Sequence, residues 1–346
     1  MASTKRIALL TGGGDCPGLN AVIRAVVKKA STYGFEAIGI LDGWKGLTEN
    51  RTMALDEKAI SGILQRGGTI LGTSRFNPYK QKENIEKIKA NFRKLKLYAL
   101  VAIGGDDTLG VANKLFLQEN LRMIGVPKTI DNDLSATDFT FGFDTAVNIA
   151  TECLDRLHTT AESHHRVLVV EIMGRHAGWI TIYAGIAGGA DVVLIPEFPI
   201  DIDEVVKNIK SRQAKGKRFS IVAVAEGAKF KTGTEVTQIK ELDAFGNVRL
   251  GGIAQMLADK IQDLTKIETR TVVLGHLQRG GTPTAADRVL STRYGIKAAE
   301  LLHEGKFGYM VCLKGNKITS VKLQRAVAKT KTVDRELYEI AQVFSG

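Results

Sequence analysis

The chain has 346 residues, of which 44% are hydrophobic and 25% charged, and it carries a formal net charge of +11. This length exceeds one ordinary hydrophobic core, so we expect two domains of a globular protein. The excess of Lys and Arg is compatible with nucleic acid, a membrane surface or small polyanionic substrates. Because the basic residues are scattered and aromatic residues make up only 6% of the chain, no nucleic-acid partner is expected.

Membrane insertion and disulfide bonding are also disfavoured. The longest apolar stretch, residues 184–196, is interrupted by Asp191 and is shorter than the roughly 20 residues that span a bilayer. The N-terminal residues run into a strand pattern without signal-peptide architecture. The three cysteines, Cys16, Cys153 and Cys312, have no metal-ligand spacing. These features predict a cytoplasmic location, no membrane association and no catalytic thiol at Cys16, near which no His lies in sequence.

The first predicted unit is a strand over residues 7–10, a glycine-rich loop over residues 11–18 and a helix. One apolar face of that helix is marked by Val22, Ile23, Val26 and Val27. Pro17 and Gly18 open the helix, so its amino end points toward the loop and any anion held there. The loop is neither a Walker A loop nor a clean dinucleotide fingerprint, and a tight turn without a ligand explains it equally well.

Strand and helix patterns alternate along the rest of the chain. A helix is predicted around Ile85, Ile88, Phe92 and Leu95, and a long helix after Asp144 is expected to link two sheets. Strands are predicted over residues 97–103, 121–126, 167–172, 191–195, 219–224 and 271–275. This alternation predicts an α/β fold with mainly parallel sheets covered by helices. Residues 306–346 carry no motif that we can interpret.

Four carboxylates follow two of these strands. The first strand ends in Gly104-Gly-Asp-Asp107, where the glycines would allow a tight turn that exposes amides to an anion. The second run is Pro127-Lys-Thr-Ile-Asp-Asn-Asp133, and its two aspartates would point to one side of an extended segment. An isolated aspartate is usually a turn or cap residue, but four in two motifs disfavour that explanation. We expect one carboxylate to take a proton and another to help hold a metal ion.

These runs resemble the sugar-phosphate kinase signature of the phosphofructokinase A family. The resemblance extends, in the same order, to residues 11–20, 67–75, 173–175 and 274–281, and it covers nearly the whole chain. It implies two Rossmann-like three-layer α/β/α domains with mainly parallel sheets and an active site in the interdomain cleft. The implied phosphoryl-donor-binding domain is residues 1–142 plus 255–305. The implied fructose-6-phosphate-binding domain is residues 143–254 plus 306–346.

Two positions separate the branches of that family. ATP-using members generally have glycine where this chain has Asp107, and commonly glycine where it has Lys128, whereas pyrophosphate-using members have Asp and Lys. A carboxylate at Asp107 would repel the α-phosphate of a nucleotide, and Lys128 would attract a compact diphosphate. An exposed ion pair between the two, worth about 0–1 kcal/mol, is the structural alternative.

The pyrophosphate-dependent branch is therefore the one implied. Its reaction is reversible, Mg²⁺-dependent transfer from pyrophosphate to the 1-hydroxyl of fructose 6-phosphate, in glycolysis or gluconeogenesis. ATP-dependent 6-phosphofructokinase is the alternative. Two other classes are alternatives. The first is a non-catalytic phosphate or nucleotide sensor, which predicts that Asp131→Ala leaves function intact. A nicotinamide oxidoreductase needs an acidic ribose-binding residue, and Asp42, the nearest in place, lies in a turn.

The resemblance also implies roles for single residues. On the donor side these are Gly14, Arg75, Asp107 and Lys128. The implied catalytic set is Asp131 as base for the sugar hydroxyl, Thr129 at the moving phosphoryl group, and Arg75, Lys128 and Arg175. Carboxylates for Mg²⁺ are Asp106 and Asp133, which fits the oxygen ligands and few protein contacts usual for this ion. Sugar-phosphate contacts are implied for Thr129, Asp131, Arg166, Met173, Gly174, Arg175, Glu226, Arg270, His276 and Arg279.

Assembly and regulation follow from the same resemblance. Residues matching Arg166 and Arg270 reach a neighbouring subunit's site, so a homo-oligomer, a dimer or a tetramer, is implied. Effector positions of bacterial relatives retain charge at Arg24 and Lys28 but have His158 in place of an arginine. Weak or absent allosteric control is therefore expected, and the basic stretch 207–218 is interpreted as a solvated surface.

Overall fold

The computed structural model describes residues 4–231, 237–242, 245–246 and 248–344. Its strands in chain order are β1 (Arg6–Thr11), β2 (Glu36–Ile40), β3 (Thr52–Ala54), β4 (Leu97–Gly104), β5 (Met123–Pro127), β6 (Val167–Ile172), β7 (Val192–Leu194), β8 (Ser220–Ala225), β9 (Thr237–Leu242), β10 (Val248–Leu250), β11 (Thr269–Val273), β12 (Tyr309–Lys314) and β13 (Lys317–Lys322). Its helices are α1 (Leu19–Thr32), α2 (Gly43–Glu49), α3 (Lys82–Lys94), α4 (Asp106–Glu119), α5 (Phe143–His164), α6 (Trp179–Ala187), α7 (Ile202–Ala214), α8 (Ile253–Thr265), α9 (Ala285–His303), α10 (Leu323–Ala326) and α11 (Arg335–Val343). Short 3₁₀ helices cover Pro78–Lys80 and Gly275–Arg279.

The described residues divide into two compact units. Unit 1 takes those within 1–130, 134–144 and 279–330, and unit 2 takes those within 131–133, 145–278 and 331–346. Each unit is built on its own sheet, and both sheets are mainly parallel. This confirms the predicted α/β class.

The expected domain boundaries differ from these units over residues 131–133, 143–144, 255–278 and 306–330. Strand β11 was expected with the donor-binding domain, but it pairs in parallel with β6 and lies in unit 2. Strands β12 and β13 were expected with the other domain, but β12 pairs in parallel with β5, so both lie in unit 1. These pairings join strands far apart in sequence, so hydrophobic periodicity along the chain does not reveal them.

The sheet of unit 1 has the order β13-β12-β5-β4-β1-β2-β3. β1 pairs in parallel with β2 on one side and with β4 on the other, so the strand order reverses at β1. The antiparallel partners β3 and β13 form the two edges. Residues 7–10 of β1 are completely buried, as expected of a parallel strand covered on both faces. The reversal is the position at which open α/β sheets bind ligands.

The sheet of unit 2 has the order β11-β6-β8-β7, and all its strands are parallel. Helix α8 covers it with a buried apolar face at Ile253, Leu257 and Ile261, which packs among residues of β6, β7 and β8. β9 and β10 form a separate antiparallel pair. The ends of β11, β6 and β8, which are neighbours in this four-stranded parallel sheet, therefore lie side by side.

Most predicted elements exist, with shifted ends. The strand predicted at 167–172 is confirmed residue for residue, whereas those predicted at 121–126, 191–195 and 271–275 run over Met123–Pro127, Val192–Leu194 and Thr269–Val273. The long helix predicted from Asp144 is confirmed as α5. Strand ends move because pairing with neighbours decides where a strand stops, which side-chain patterns alone do not show. None of the helices in the described part of the chain is both long and apolar enough to cross a bilayer.

Candidate active site

In unit 1, three predicted phosphate-binding runs meet at one edge of the sheet. The Gly12 amide after β1 donates a hydrogen bond to the Ile103 carbonyl of β4 at 3.0 Å. The Lys128 amide after β5 donates to the Gly104 carbonyl at 3.0 Å. The glycine-rich loop, residues 104–107 and residues 127–129 are thereby held at the carboxyl ends of neighbouring strands, which is the ligand-binding edge.

Thr108, which the sequence analysis missed, explains two of the glycines. A Cβ on Gly12 would lie 2.5 Å from the Thr108 Oγ1, and a Cβ on Gly104 would lie 2.3 Å from the Thr108 Cβ. The threonine is buried in the first turn of α4, and its branched side chain is stiff. The tight turn predicted at Gly104 and Gly105 is present, since β4 ends at Gly104 and α4 begins at Asp106. It does not use the left-handed backbone that only glycine adopts easily, because Gly105 has φ −81° and ψ −166°. Here glycine makes room for Thr108.

Asp106 and Asp107 occupy the first turn of α4. The Asp106 side chain is exposed and that of Asp107 is half-buried. Negative charge is favourable at a helix amino end, which gives both carboxylates a structural role without a ligand. It also places them beside the glycine-rich loop, where they can repel or coordinate what binds there.

Lys128 is buried in this group, with only 3% of its surface exposed. Its ammonium donates a short hydrogen bond to the carbonyl of Gly14 in the glycine-rich loop. Because Lys128 is buried, the figure for an exposed ion pair does not apply to it, and the ion-pair alternative with Asp107 stays a prediction. The lysine brings a positive charge to the glycine-rich loop, and a positive charge attracts an anion.

Arg279 also lies against the glycine-rich loop. Its Nη1 donates a long hydrogen bond to the Asp15 carbonyl at 3.4 Å, and a Cβ on Gly14 would lie 2.5 Å from that nitrogen. The resemblance implies a sugar-phosphate contact for Arg279, and that role stays a prediction. In the structure the guanidinium and the Lys128 ammonium both approach Gly14, so two cations surround one backbone segment.

Arg75 ends a second segment attached to the same loop. The Thr73 hydroxyl donates to the Gly13 carbonyl at 2.6 Å, and the Gly13 amide donates to the Ser74 carbonyl at 3.2 Å. The Arg75 side chain is exposed next to these anchors. Its predicted role in binding the donor thus has a rigid backbone support, and the exposed guanidinium can reach an anion.

In unit 2, Glu226 organises the loop that follows β6. Its Oε1 accepts hydrogen bonds from the amides of Gly174 and Arg175, at 3.3 and 3.0 Å. Arg175 has φ 51°, in the left-handed region that is strained for most residues. Burial raises the pKa of the Glu226 carboxyl; the Arg175 amide opposes the rise, and the charge of Asp131 adds to it. Glu226, predicted to bond a sugar hydroxyl, thus also holds the backbone of Gly174 and Arg175.

The predicted extended geometry of residues 131–133 is wrong. Asn132 has φ 51°, so the segment turns there, and the period-two argument for its aspartates does not apply. Asn is one of the few residues that tolerate this conformation. The Asp131 side chain is buried and that of Asp133 is half-buried. Asp131 lies close enough to Glu226 for the two charges to interact, so the proposed base and the sugar-side glutamate belong to one group.

The two arginines implied to reach a neighbouring subunit share one carboxylate. Glu268 pairs with Arg166 at 2.9 Å and with Arg270 at 2.7 Å. The hydrogen bond from Arg166 lowers the pKa of Glu268, and Arg270 adds to the effect. Arg270 is 61% exposed on β11, the edge strand of the sheet, and the His276 side chain beyond that strand is also exposed. The Arg270 and His276 side chains are therefore accessible at the surface.

Two buried polar residues support this edge and were missed from sequence. The Gln278 Oε1 accepts from the Met173 amide at 3.3 Å, and its Nε2 donates to the Gly275 carbonyl at 3.1 Å. Glu171, on β6, accepts from the amides of Gly252 and Ala254 at the amino end of α8. A buried polar group must find hydrogen-bond partners, which is the general signal that singles out such residues once burial is known.

The cysteine and effector positions also acquire defined surroundings. Burial raises the pKa of the Cys16 thiol to about 12, which agrees with the prediction that it is not a nucleophile. His158 Nε2 lies 2.8 Å from the Gly188 carbonyl. Arg212 pairs with Asp191 at 2.7 Å, and both side chains are nearly buried. The prediction that residues 207–218 form a solvated surface is therefore wrong for Arg212.

Comparisons with known proteins agree with this arrangement. The phosphofructokinase family model matches residues 6–302. The chain is 56% identical over 342 residues to a pyrophosphate–fructose 6-phosphate 1-phosphotransferase of Streptomyces coelicolor, covering 99% of this chain and 100% of that protein. It is 51% identical over 343 residues to an ATP-dependent 6-phosphofructokinase of Corynebacterium efficiens, covering 99% of each.

A solved structure has the same fold. The phosphofructokinase of Saccharomyces cerevisiae matches with a TM-score of 0.81 and 30% identity, over 99% of this chain. The chain spans 47% of that yeast chain. The family model, the full-length relatives and the shared fold confirm the resemblance seen in the motifs: the chain belongs to the phosphofructokinase family.

Proposed function

We propose that this chain transfers a phosphoryl group reversibly from pyrophosphate to the 1-hydroxyl of fructose 6-phosphate, giving fructose 1,6-bisphosphate and phosphate. The observation that carries the proposal is the buried Lys128, whose ammonium bonds to Gly14 beside the Arg279 guanidinium. Pyrophosphate concentrates its charge in a small volume, and two cations at one glycine-rich segment suit it. Relatives in Streptomyces and Amycolatopsis that are named pyrophosphate–fructose 6-phosphate 1-phosphotransferases support the same donor.

Phosphoryl transfer depends on positioning and charge neutralisation more than on covalent catalysis. The sugar oxygen forms a bond to the transferred phosphorus as the bond to the leaving phosphate breaks, and Asp131 accepts the hydroxyl proton. Arg75 and Lys128 bind the donor phosphates, Thr129 bonds the moving phosphoryl group, and Arg175 stabilises its charge. Asp107 discriminates against a nucleotide through repulsion of the phosphate that pyrophosphate lacks.

The carboxylates available to Mg²⁺ fit its chemistry. Asp106 is exposed in the first turn of α4, and Asp133 is half-buried after the Asn132 turn. The described residues contain no cluster of three or more His, Cys, Asp or Glu side chains able to hold a metal ion. We propose an ion bound through one or two carboxylates and the substrate phosphates, where it would neutralise their charge.

Unit 1 is proposed as the donor-binding domain and unit 2 as the fructose-6-phosphate-binding domain. In unit 2 the residues that bind the sugar phosphate are Met173, Gly174, Arg175, Glu226 and His276. Arg166 and Arg270 would reach the site of a neighbouring subunit, so the active form is a homo-oligomer. A cytoplasmic enzyme with little allosteric control stays the prediction from sequence.

ATP is the second candidate donor, because relatives named ATP-dependent share 49 to 52% identity with this chain. The deciding assay measures initial rates with fructose 6-phosphate and Mg²⁺, and with pyrophosphate or ATP at equal concentration. We expect activity with pyrophosphate alone, and we expect Asp107→Gly to begin to admit ATP. Asp203→Gly is the matched control, since Asp203 also lies in the first turn of a helix, where its side chain is exposed.

The possible results separate the hypotheses. A preference of the unmodified protein for ATP would overturn the donor assignment and leave the sugar site standing. Equal gains of ATP activity in Asp107→Gly and Asp203→Gly would show that Asp107 does not select the donor. No transfer with either donor would favour the phosphate-sensor alternative.

A further inference from the structure

Residues 331–344 form a C-terminal tail on unit 2 that ends in α11, and no sequence motif accounts for it. Three contacts anchor the tail to the rest of unit 2, at Trp179 and at residues 197–198. The Trp179 Nε1 donates a hydrogen bond to the Lys331 carbonyl at 2.9 Å, and the Val333 amide donates to Glu197 at 2.9 Å. The rings of Phe198 and Tyr338 stack with centroids 4.0 Å apart. The tail is therefore fixed at its start and along α11.

Glu197 is the centre of this anchor. Besides the Val333 amide, its carboxylate accepts the Gly178 amide with both oxygens, at 3.0 and 3.1 Å. Gly178 is the residue that precedes α6, so the carboxylate also lies at the positive end of a helix dipole. A Cβ on Gly178 would come within 2.9 Å of the Glu197 Oε2, so the carboxylate packs directly on the backbone. Hydrogen bonds to a charged group contribute more than neutral ones, so this contact holds the tail firmly.

The anchored end of the tail bonds to the segment that carries the proposed base. The Lys331 amide donates to the Asp133 carbonyl at 2.7 Å. Residues 131–133 group with unit 2, together with residues 331–346, although the residues on either side of them group with unit 1. The segment also contains Asn132 at φ 51°. Asn tolerates this conformation, and the hydrogen bond from the Lys331 amide to the next residue, Asp133, restricts the turn further.

We propose that the tail is a positioning element for catalysis: the Lys331 amide, held by Trp179 and Glu197, fixes the turn that orients Asp131. The proposal rests on the proposed function, because it takes Asp131 as the base. Lys331, Glu197 and Trp179 are positioning residues, since they act through the 131–133 turn. A base that abstracts a proton must be held at hydrogen-bond distance from it, and a displacement of about 1 Å costs roughly 100-fold in rate.

The test compares Lys331→Pro with Lys331→Ala. Proline removes the amide N–H that donates to Asp133, whereas alanine keeps it and removes only the side chain. We expect kcat of Lys331→Pro to fall roughly 100-fold below that of Lys331→Ala, with little change in KM for pyrophosphate. The contact between the tail and Trp179 is monitored in the same proteins by Trp179 fluorescence. The chain has two tryptophans, so Trp44→Phe leaves Trp179 as the only emitter, and loss of the contact should shift its emission to the red.

A second variant covers a failure of Lys331→Pro to fold, which circular dichroism would detect. Glu197→Ala removes the carboxylate that holds Val333, and Glu197→Gln is its control because an amide oxygen still accepts from Val333. A lower kcat and a red shift in Glu197→Ala, largely restored in Glu197→Gln, would support the proposal. Equal kcat values within both pairs of variants would overturn it. Inactivity of the unmodified protein with both phosphoryl donors would instead overturn the proposed function.

Discussion

Gly227 offers the sharpest test of the residues proposed to bind the sugar phosphate, because there is no space for a side chain between it and the Arg175 backbone. A Cβ at Gly227 would lie 1.7 Å from the Arg175 carbonyl oxygen. Carbon and oxygen atoms in contact stay about 3.3 Å apart, so Gly227→Ala must displace the Arg175 backbone by roughly 1.6 Å. The backbone has little freedom to turn away, since Arg175 has φ 51° and its amide is bonded to Glu226.

The magnitude follows from this displacement. A misplacement of about 1 Å at a reacting centre costs roughly 100-fold in rate. We therefore expect Gly227→Ala to lower kcat/KM for fructose 6-phosphate by at least about 100-fold, equivalent to about 2.7 kcal/mol of transition-state stabilisation. Overpacking of this kind costs typically about 1–3 kcal/mol of stability, so the protein should still fold. KM for pyrophosphate should change little, because the proposed donor-binding residues lie in unit 1.

The assay is steady-state kinetics with each substrate varied in turn, together with denaturant unfolding. Gly110→Ala is the matched control: Gly110 lies within α4, and a Cβ there would meet no atom within 4 Å. Alanine is favoured over glycine in a helix by about 1 kcal/mol, so this control should be slightly stabilised. A Gly227→Ala protein that is folded and has an unchanged kcat/KM for fructose 6-phosphate would refute the assignment of the Met173–Arg175 loop to the sugar.

Three further predictions concern single side chains. Asp131→Asn should lower kcat by about 10²- to 10⁴-fold, as for loss of a general base, while calorimetry still detects fructose 6-phosphate binding; turnover close to that of the unmodified protein would exclude Asp131 as the base. Burial raises the pKa of Glu226 above its unfolded value, so the native state binds more protons and stability falls as pH rises through that window. Glu226→Gln should remove this part of the pH dependence in denaturant unfolding, and an unchanged slope would contradict the burial argument. Cys16, with its thiol pKa raised to about 12, should resist iodoacetamide at mildly alkaline pH, as measured by mass spectrometry; rapid alkylation in the folded enzyme would contradict its burial.

Much of the core fold was predictable from sequence because parallel strands covered on both faces are continuous apolar runs. Strands β1, β4 and β6 are of this kind, and both ends of each strand were predicted to within one residue. β12 and β13 were not predicted. β12 is a buried apolar run, but its place in the sheet depends on its neighbour β5, and β13 is a largely exposed strand at the edge. The expected domain boundaries differed from the two units for the same reason.

The candidate site divides in a similar way. Residues such as Asp106, Lys128 and Asp131 could be singled out from sequence, because charged residues directly after apolar strands lie at the ligand-binding edge of an α/β sheet. Thr108 and Gln278 could not, since their importance lies in what they touch. Thr108 is needed only because two glycine segments close around it. Gln278 is needed only because the Met173 amide is buried beside it.

The sequence by itself determined the fold class, the family and the chemical types of the groups at the strand ends, because these depend on local pattern and residue identity. Only the tertiary structure decided that Arg279 lies on the glycine-rich loop, that Asn132 turns the 131–133 segment, and that the tail bonds to Asp133. Each of these depends on contacts between residues distant in sequence. Such contacts are selected by packing and by the need of buried polar groups for partners, which no local pattern records.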